Sequence, residues 1–312
     1  MAIYYITTIL SMVIWSASYV FTDISYGAMS PIQVAAVRSL ITTVVFFLIR
    51  LGQRGYAARQ RRKFGSLAET APLIEKPEKR DMVWIYLSGL FGITVYMILE
   101  NLGIRYTTTS NSALIVASFP AITVLLEFLI YKIRPTAVKS IGIALAIAGV
   151  MVLTGTTAEG SRNQLLGNIC LIAAGFTWAF YSFITRKVAD KYSPITLTYY
   201  QMLGSTVFYL PFLLIEGAEW RPWDLRVAGA VLFLSLGCSF AAFLLYNFGL
   251  KRLSAGISAI FLNLIPVFGL VFSAVVAKET ISAYQLIGGA VVIGGVILSC
   301  LPQCRFPEHR KC

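Results

Sequence analysis

Three ionisable side chains fall inside otherwise apolar stretches: Arg38, Glu100 and Glu127. A charge kept from water is costly, so each is a candidate for a substrate, a proton or a structural partner. Arg38 lies about seven residues into its stretch, roughly 10 Å deep at ~1.5 Å rise per residue. Glu100 and Asp23 fall at similar depth. Arg38 therefore either grips a substrate carboxylate or gates an outer vestibule, or else forms a structural ion pair with Glu100 or Asp23. Glu100 and Glu127 are the candidates for coupling, because a buried carboxyl can exchange a proton. For Glu127 the alternative is snorkelling toward Lys132 or the interface.

Around these charges stand aromatic and amide side chains. Trp15 and Trp178 lie well inside apolar stretches, and Tyr19, Phe119, Tyr181 and Tyr246 fall near them in the pattern. Such rings either line a cavity for an aromatic, aliphatic or cationic solute or pack helices together. Asn101, Asn247 and Asn263 either hydrogen-bond across helices or face the solute. Pro120 and Pro266 sit near the middle of two stretches, where each removes a backbone hydrogen bond and acts as a hinge or a fixed bend.

Other chemistry is missing from the sequence. The one histidine is His309, so neither a His-based triad nor an HExxH site can form. There is no GxxxxGK[ST] or GxGxxG motif, and the five cysteines (Cys170, Cys238, Cys300, Cys304 and Cys312) form no CxxC pair. No metal site, no cofactor and no catalytic residue is expected, and the chain reads as a non-enzyme. A net charge of +12 raises nucleic acid as a partner, but the basic residues sit mainly in short loops between apolar runs, which points to a lipid bilayer instead.

The elements that must position these residues are membrane helices. Hydrophobic residues make up 57% of the 312 and charged residues 13%, about half the ~25% usual for soluble domains. Spans of ~20 apolar residues fall at 3–22, 32–50, 82–104, 108–131, 136–154, 164–186, 194–215, 226–250, 254–276 and 281–301. The first has no basic leader or small-residue cleavage site and reads as a retained span. Segment 51–81 reads as a solvated, mostly flexible loop. Its side of the membrane carries 20 Lys and Arg, against five opposite (Arg105, Arg162, Arg221, Arg226 and Lys278). That bias places both termini and the loop in the cytoplasm of a multi-pass cell-membrane protein.

The spans repeat. At an offset of 163, Trp15 falls on Trp178, Thr22 on Thr185, Ser30-Pro31-Ile32 on Ser193-Pro194-Ile195, and Thr43 on Thr206. At 146, Asn101 falls on Asn247, Gly103 on Gly249, Ser112-Ala113 on Ser258-Ala259, Pro120 on Pro266, and Gly142/Gly149 on Gly288/Gly295. One insertion in the 51–81 loop explains the change of offset. The glycine pairs, seven apart, lie on one helix face and let a neighbour approach. The charges do not repeat: Arg38 faces Gln201, Glu100 faces Tyr246, and Glu127 faces Ser273. Five spans per half make the repeats inverted, an arrangement that suits alternating access. The expected division is 1–155, 156–301 and a cytoplasmic tail, 302–312.

Ile14-Trp15-Ser16-Ala17-Ser18-Tyr19, Ser30-Pro31 and Arg38 resemble the opening of an EamA domain, as does the run from Asn101 to Pro120. Tyr246-Asn247, Ser254-Ala255-Gly256, Lys278-Glu279-Thr280 and Gln285 to Gly288 are similar to the second EamA domain of the drug/metabolite transporter superfamily. The resemblance covers nearly the whole chain apart from 51–81 and the tail. It departs at Lys132-Ile133-Arg134, opposite the Lys278-Glu279-Thr280 that carries the family's acidic residue. It implies a ten-helix, all-α integral membrane secondary transporter, often an exporter of amino acids or other metabolites. Proton coupling and a homodimer remain open, as do a membrane scaffold or sensor and a lipid-handling enzyme as alternatives.

Overall fold

The computed structural model describes residues 1–64, 74–107, 112, 115–154, 164–217, 221–276 and 282–301, with backbone alone for 19, 23, 57–58, 60–64, 153–154 and 273–276. The described residues are helical and contain no strand. In chain order, α1 is Ala2–Tyr26, α2 Pro31–Phe64, α3 Lys79–Tyr106, α4 Ile115–Tyr131 and α5 Ala137–Thr154. In the second half α6 is Gln164–Ala189, and α7 runs Pro194–Phe208 and then Leu210–Glu216. The last three are α8 Leu225–Leu250, α9 Ala255–Ile260 continuing as Leu264–Val276, and α10 Ala283–Cys300. Seven described helices are long and apolar enough to cross a bilayer.

The two halves interleave. Helix α1 packs against α8 and α9 of the second half, while α6, its repeat mate, packs against α3 and α4 of the first. The most extensive contact joins α5 to α10. A Cβ on Gly142 would stand 2.7 Å from the Gly295 carbonyl, and one on Gly149 would stand 2.9 Å from the Gly288 carbonyl. The pairing runs antiparallel, backbone against backbone, as small residues allow inside a membrane. It is also reciprocal, because Gly142 matches Gly288 and Gly149 matches Gly295 at the repeat offset.

Both α3 and α8 widen into π-helix at matching places, Leu90–Val95 and Leu234–Ala242. Carbonyls in these turns receive side chains from other helices. Tyr209 donates to the Ile93 carbonyl at 2.7 Å, Thr42 to that of Ser235 at 2.9 Å and Trp15 to that of Cys238 at 3.1 Å. π-helical insertions inside α-helices often mark functional sites.

Several expectations need correction. Helix α2 continues to Phe64, so the first part of segment 51–81 is helix, not flexible loop. Its end is docked: Glu75 N–H donates to Thr196, and Asp81 pairs with Lys191 at 3.0 Å, which holds that ammonium's pKa up. Span seven is broken at Tyr209, where Pro211 opens the second piece. Pro120 does not kink a continuous helix but stands in the first turn of the segment Phe119–Tyr131, where a missing N–H costs nothing. Pro266 likewise follows a 3-10 turn, Phe261–Asn263, that interrupts α9.

Candidate functional site

A cavity of about 270 Å³ lies between the halves. Helix α1 contributes Trp15, Ser18, Thr22 and Tyr26, and α3 contributes Tyr96, Met97, Glu100, Asn101 and Ile104. The α1 set is spaced three and four apart, and the α3 set recurs as neighbouring pairs at that spacing, so each forms one helix face. Arg38 enters from α2, Trp178 from α6, Phe243 from α8, and Leu262 and Ile265 from α9. A wider recess of about 880 Å³ adjoins the cavity through Tyr26 and Ile104, and Ser30, Arg105, Glu216 and Arg221 help to line it. The cavity thus leads toward the face where α1, α3 and α7 end.

Its wall is mostly apolar, with a few fixed polar groups. The Arg38 Nε donates to Ser239 Oγ at 3.0 Å, on the widened turn of α8. Tyr96 donates to Glu100 Oε1 at 2.6 Å, an i, i+4 pair on α3. Among the described residues no ion pair joins Arg38 to Glu100. Asn101 donates to the Pro31 carbonyl at 3.2 Å and so ties α3 to the start of α2.

At the inner end, Trp15 and Trp178 meet edge to face with ring centroids 5.5 Å apart. The Nε1 of Trp15 is held by Cys238, whereas that of Trp178 is buried without a partner. Phe243 and Tyr246 pack against both indoles. Behind this aromatic layer is a polar network. Asn247 Nδ2 donates to Thr198 and to Gln201 Oε1, both at 2.9 Å, and its Oδ1 accepts from Tyr181 at 2.8 Å. Gln201 Nε2 donates to Ser88 at 2.9 Å and to Thr185 at 3.0 Å.

The structure therefore brings Trp15, Arg38, Glu100, Asn101 and Trp178 together on one cavity. Tyr246 lies behind it, and Tyr181 and Asn247 are spent in the network. Phe119 is fully buried, and Asn263, on the 3-10 turn of α9, has neither amide atom hydrogen-bonded. The side chain of Tyr19 lies outside the described residues. Glu127 is not near the cavity and does not reach Lys132; it is buried and paired with Lys139 at 3.4 Å, against Gly256. Sequence reasoning missed Ser18, Thr22, Tyr26, Tyr96, Met97 and Ile104, although helical spacing from Trp15 and Glu100 points to them. Cys170, Cys238 and Cys300 are free thiols, and Cys304 and Cys312 lie outside the described residues.

The EamA-like transporter family model matches residues 2–155 and again 165–301. This chain belongs to that family. It is a multi-pass membrane protein of a family of transporters, which act on small molecules and sit among lipids. An uncharacterized transporter of Archaeoglobus fulgidus is 27% identical, over 94% of this chain and 96% of the relative. A probable terminal-alkyne amino-acid exporter of Streptantibioticus cattleyicolor is 30% identical, over 84% of this chain and 92% of the relative. A solved crystal structure shares the fold at a TM-score of 0.73 and 20% identity, covering 95% of this transporter and 96% of that chain.

Proposed function

We propose that this transporter is a secondary carrier of small organic metabolites, amino acids first among them, working by alternating access between two inverted repeats. In this reading α1 to α10 are ten crossings, the repeats are 1–155 and 156–301, and the termini and tail 302–312 are cytoplasmic. One observation carries it: a cavity between the halves leads toward the face where α1, α3 and α7 end, and it reaches inward to the Trp15/Trp178 pair. Sites at a repeat interface near mid-depth suit this cycle. Arg38 offers a carboxylate partner and Glu100 an ammonium or proton site, beside an aromatic wall for the rest of the solute. The amino-acid assignment draws on the Streptantibioticus relative, a probable exporter, and outward movement is taken from it.

Purified protein in proteoliposomes, supplied with single amino acids, should give a saturable flux. Flux that never saturates, at channel rates, would rule the carrier out. Adding a pH gradient tests Glu100: a proton-coupled carrier moves solute against its gradient when protons run down theirs.

A further inference from the structure

The repeat offsets assign every cavity residue a mate in the other half. Two pairs are mates of each other and both line the cavity: Trp15 with Trp178, and Met97 with Phe243. They form the part of the wall common to both halves. The other ten have mates elsewhere, six of which define the chemistry of the wall. Thr22 maps to Thr185, Tyr26 to Ala189, Arg38 to Gln201, Glu100 to Tyr246, Asn101 to Asn247 and Ile104 to Leu250. All six of these mates are 0% exposed.

The mates are clustered as the originals are. Asn247 donates to Gln201 and Gln201 to Thr185, while Tyr246 pairs with Ser182 at 3.2 Å. Open cavity and closed cluster meet at the same tryptophan pair, one on each side of it. A buried amide left without partners would cost about 1–3 kcal/mol, and here Gln201 and Asn247 satisfy one another. That is the economy expected of a pocket while it is shut.

We propose that this cluster is a second, latent binding site: the image of the open cavity, exposed on the face that carries segment 51–81 when the open one closes. The proposal rests on the alternating-access reading. It also fixes the chemistry of the site. Arg38 and Glu100 become Gln201 and Tyr246, so the latent site offers amides and hydroxyls and no formal charge. A solute with a charged polar end and an apolar body meets ionic partners from one face and neutral hydrogen bonds from the other.

Accessibility tests it. In a full-length chain whose native cysteines are replaced, Thr185→Cys and the milder Ala189→Cys are each exposed to a membrane-impermeant maleimide, from either face of sealed vesicles. Thr22→Cys serves as the control. Expected is labelling of Thr22→Cys only from the face opposite segment 51–81, and of the other two only from the face with it. A minor state holding about 0.1–10% of molecules labels at about that fraction of the rate of an exposed thiol. If both mates stay unlabelled, or label from the same face as Thr22→Cys, the latent site does not exist. Flux is read separately in the unsubstituted protein, so absence of saturable flux there, with both mates still labelled from the expected face, would overturn the carrier reading and leave the site standing.

Discussion

The hydroxyl of Thr43 lies 3.0 Å from that of Thr206, its own mate 163 residues on. A residue meets its own mate only where a two-fold relation places it on the axis. Trp15 and Trp178 do the same at the inner end of the cavity. The two contacts mark one line through the molecule, and the glycines of α5 and α10 exchange across it.

That exchange predicts which glycines matter. A Cβ on Gly295 would stand 2.5 Å from the Ala146 nitrogen, and backbone cannot yield as a side chain can, whereas one on Gly294 meets nothing within 4 Å. Gly295→Leu should cost on the order of 1–3 kcal/mol by overpacking. Gly294→Ala should leave stability unchanged or slightly raised. Thermal unfolding of the purified variants distinguishes them.

Glu127 and Lys139 should behave as a buried pair. Lys139→Met strands the carboxylate and should destabilise by about 3–5 kcal/mol, while adding Glu127→Leu should recover most of the loss. Melting temperatures of the single and double variants measure the coupling.

This pair also shows where the sequence runs out. Apolar run length and the fixed offsets carry the helices, the repeat and the Trp15/Trp178 pairing, because those are local or periodic signals. Glu127 finds Lys139 across the turn between α4 and α5, and Arg38 finds Ser239 two hundred residues away. Such partners are set by how helices dock, which no local pattern encodes. The widened turns of α3 and α8 left no signal either, although the side chains they receive shape the cavity. Tyr181 and Asn247 were legible as polar groups at depth, but not as groups already spent on each other.

The two tryptophans should separate packing from hydrogen bonding. Trp15→Phe gives up the bond to the Cys238 carbonyl and should lose about 0.5–1.5 kcal/mol of stability. Trp178→Phe gives up no internal bond, so its melting point should move less. Both should weaken saturable flux if the indoles touch solute.

Arg38 should matter for binding. A hydrogen bond to a charged group is worth about 1.5–3 kcal/mol, so Arg38→Gln should raise the KM for an anionic or zwitterionic solute by roughly 10- to 100-fold. Flux measured over a range of solute concentrations gives the value. No change in KM would place the solute's charge elsewhere.

The seam between α5 and α10 bears on how the chain is made. Gly142 and Gly149 emerge from synthesis long before Gly288 and Gly295, so the small-residue face of α5 waits in the bilayer for the final helix. Until α10 arrives, that face is filled by lipid or by a wrong neighbour. A message cut short before Ala283 would leave a protein with most of its helices inserted and its broadest joint unmade.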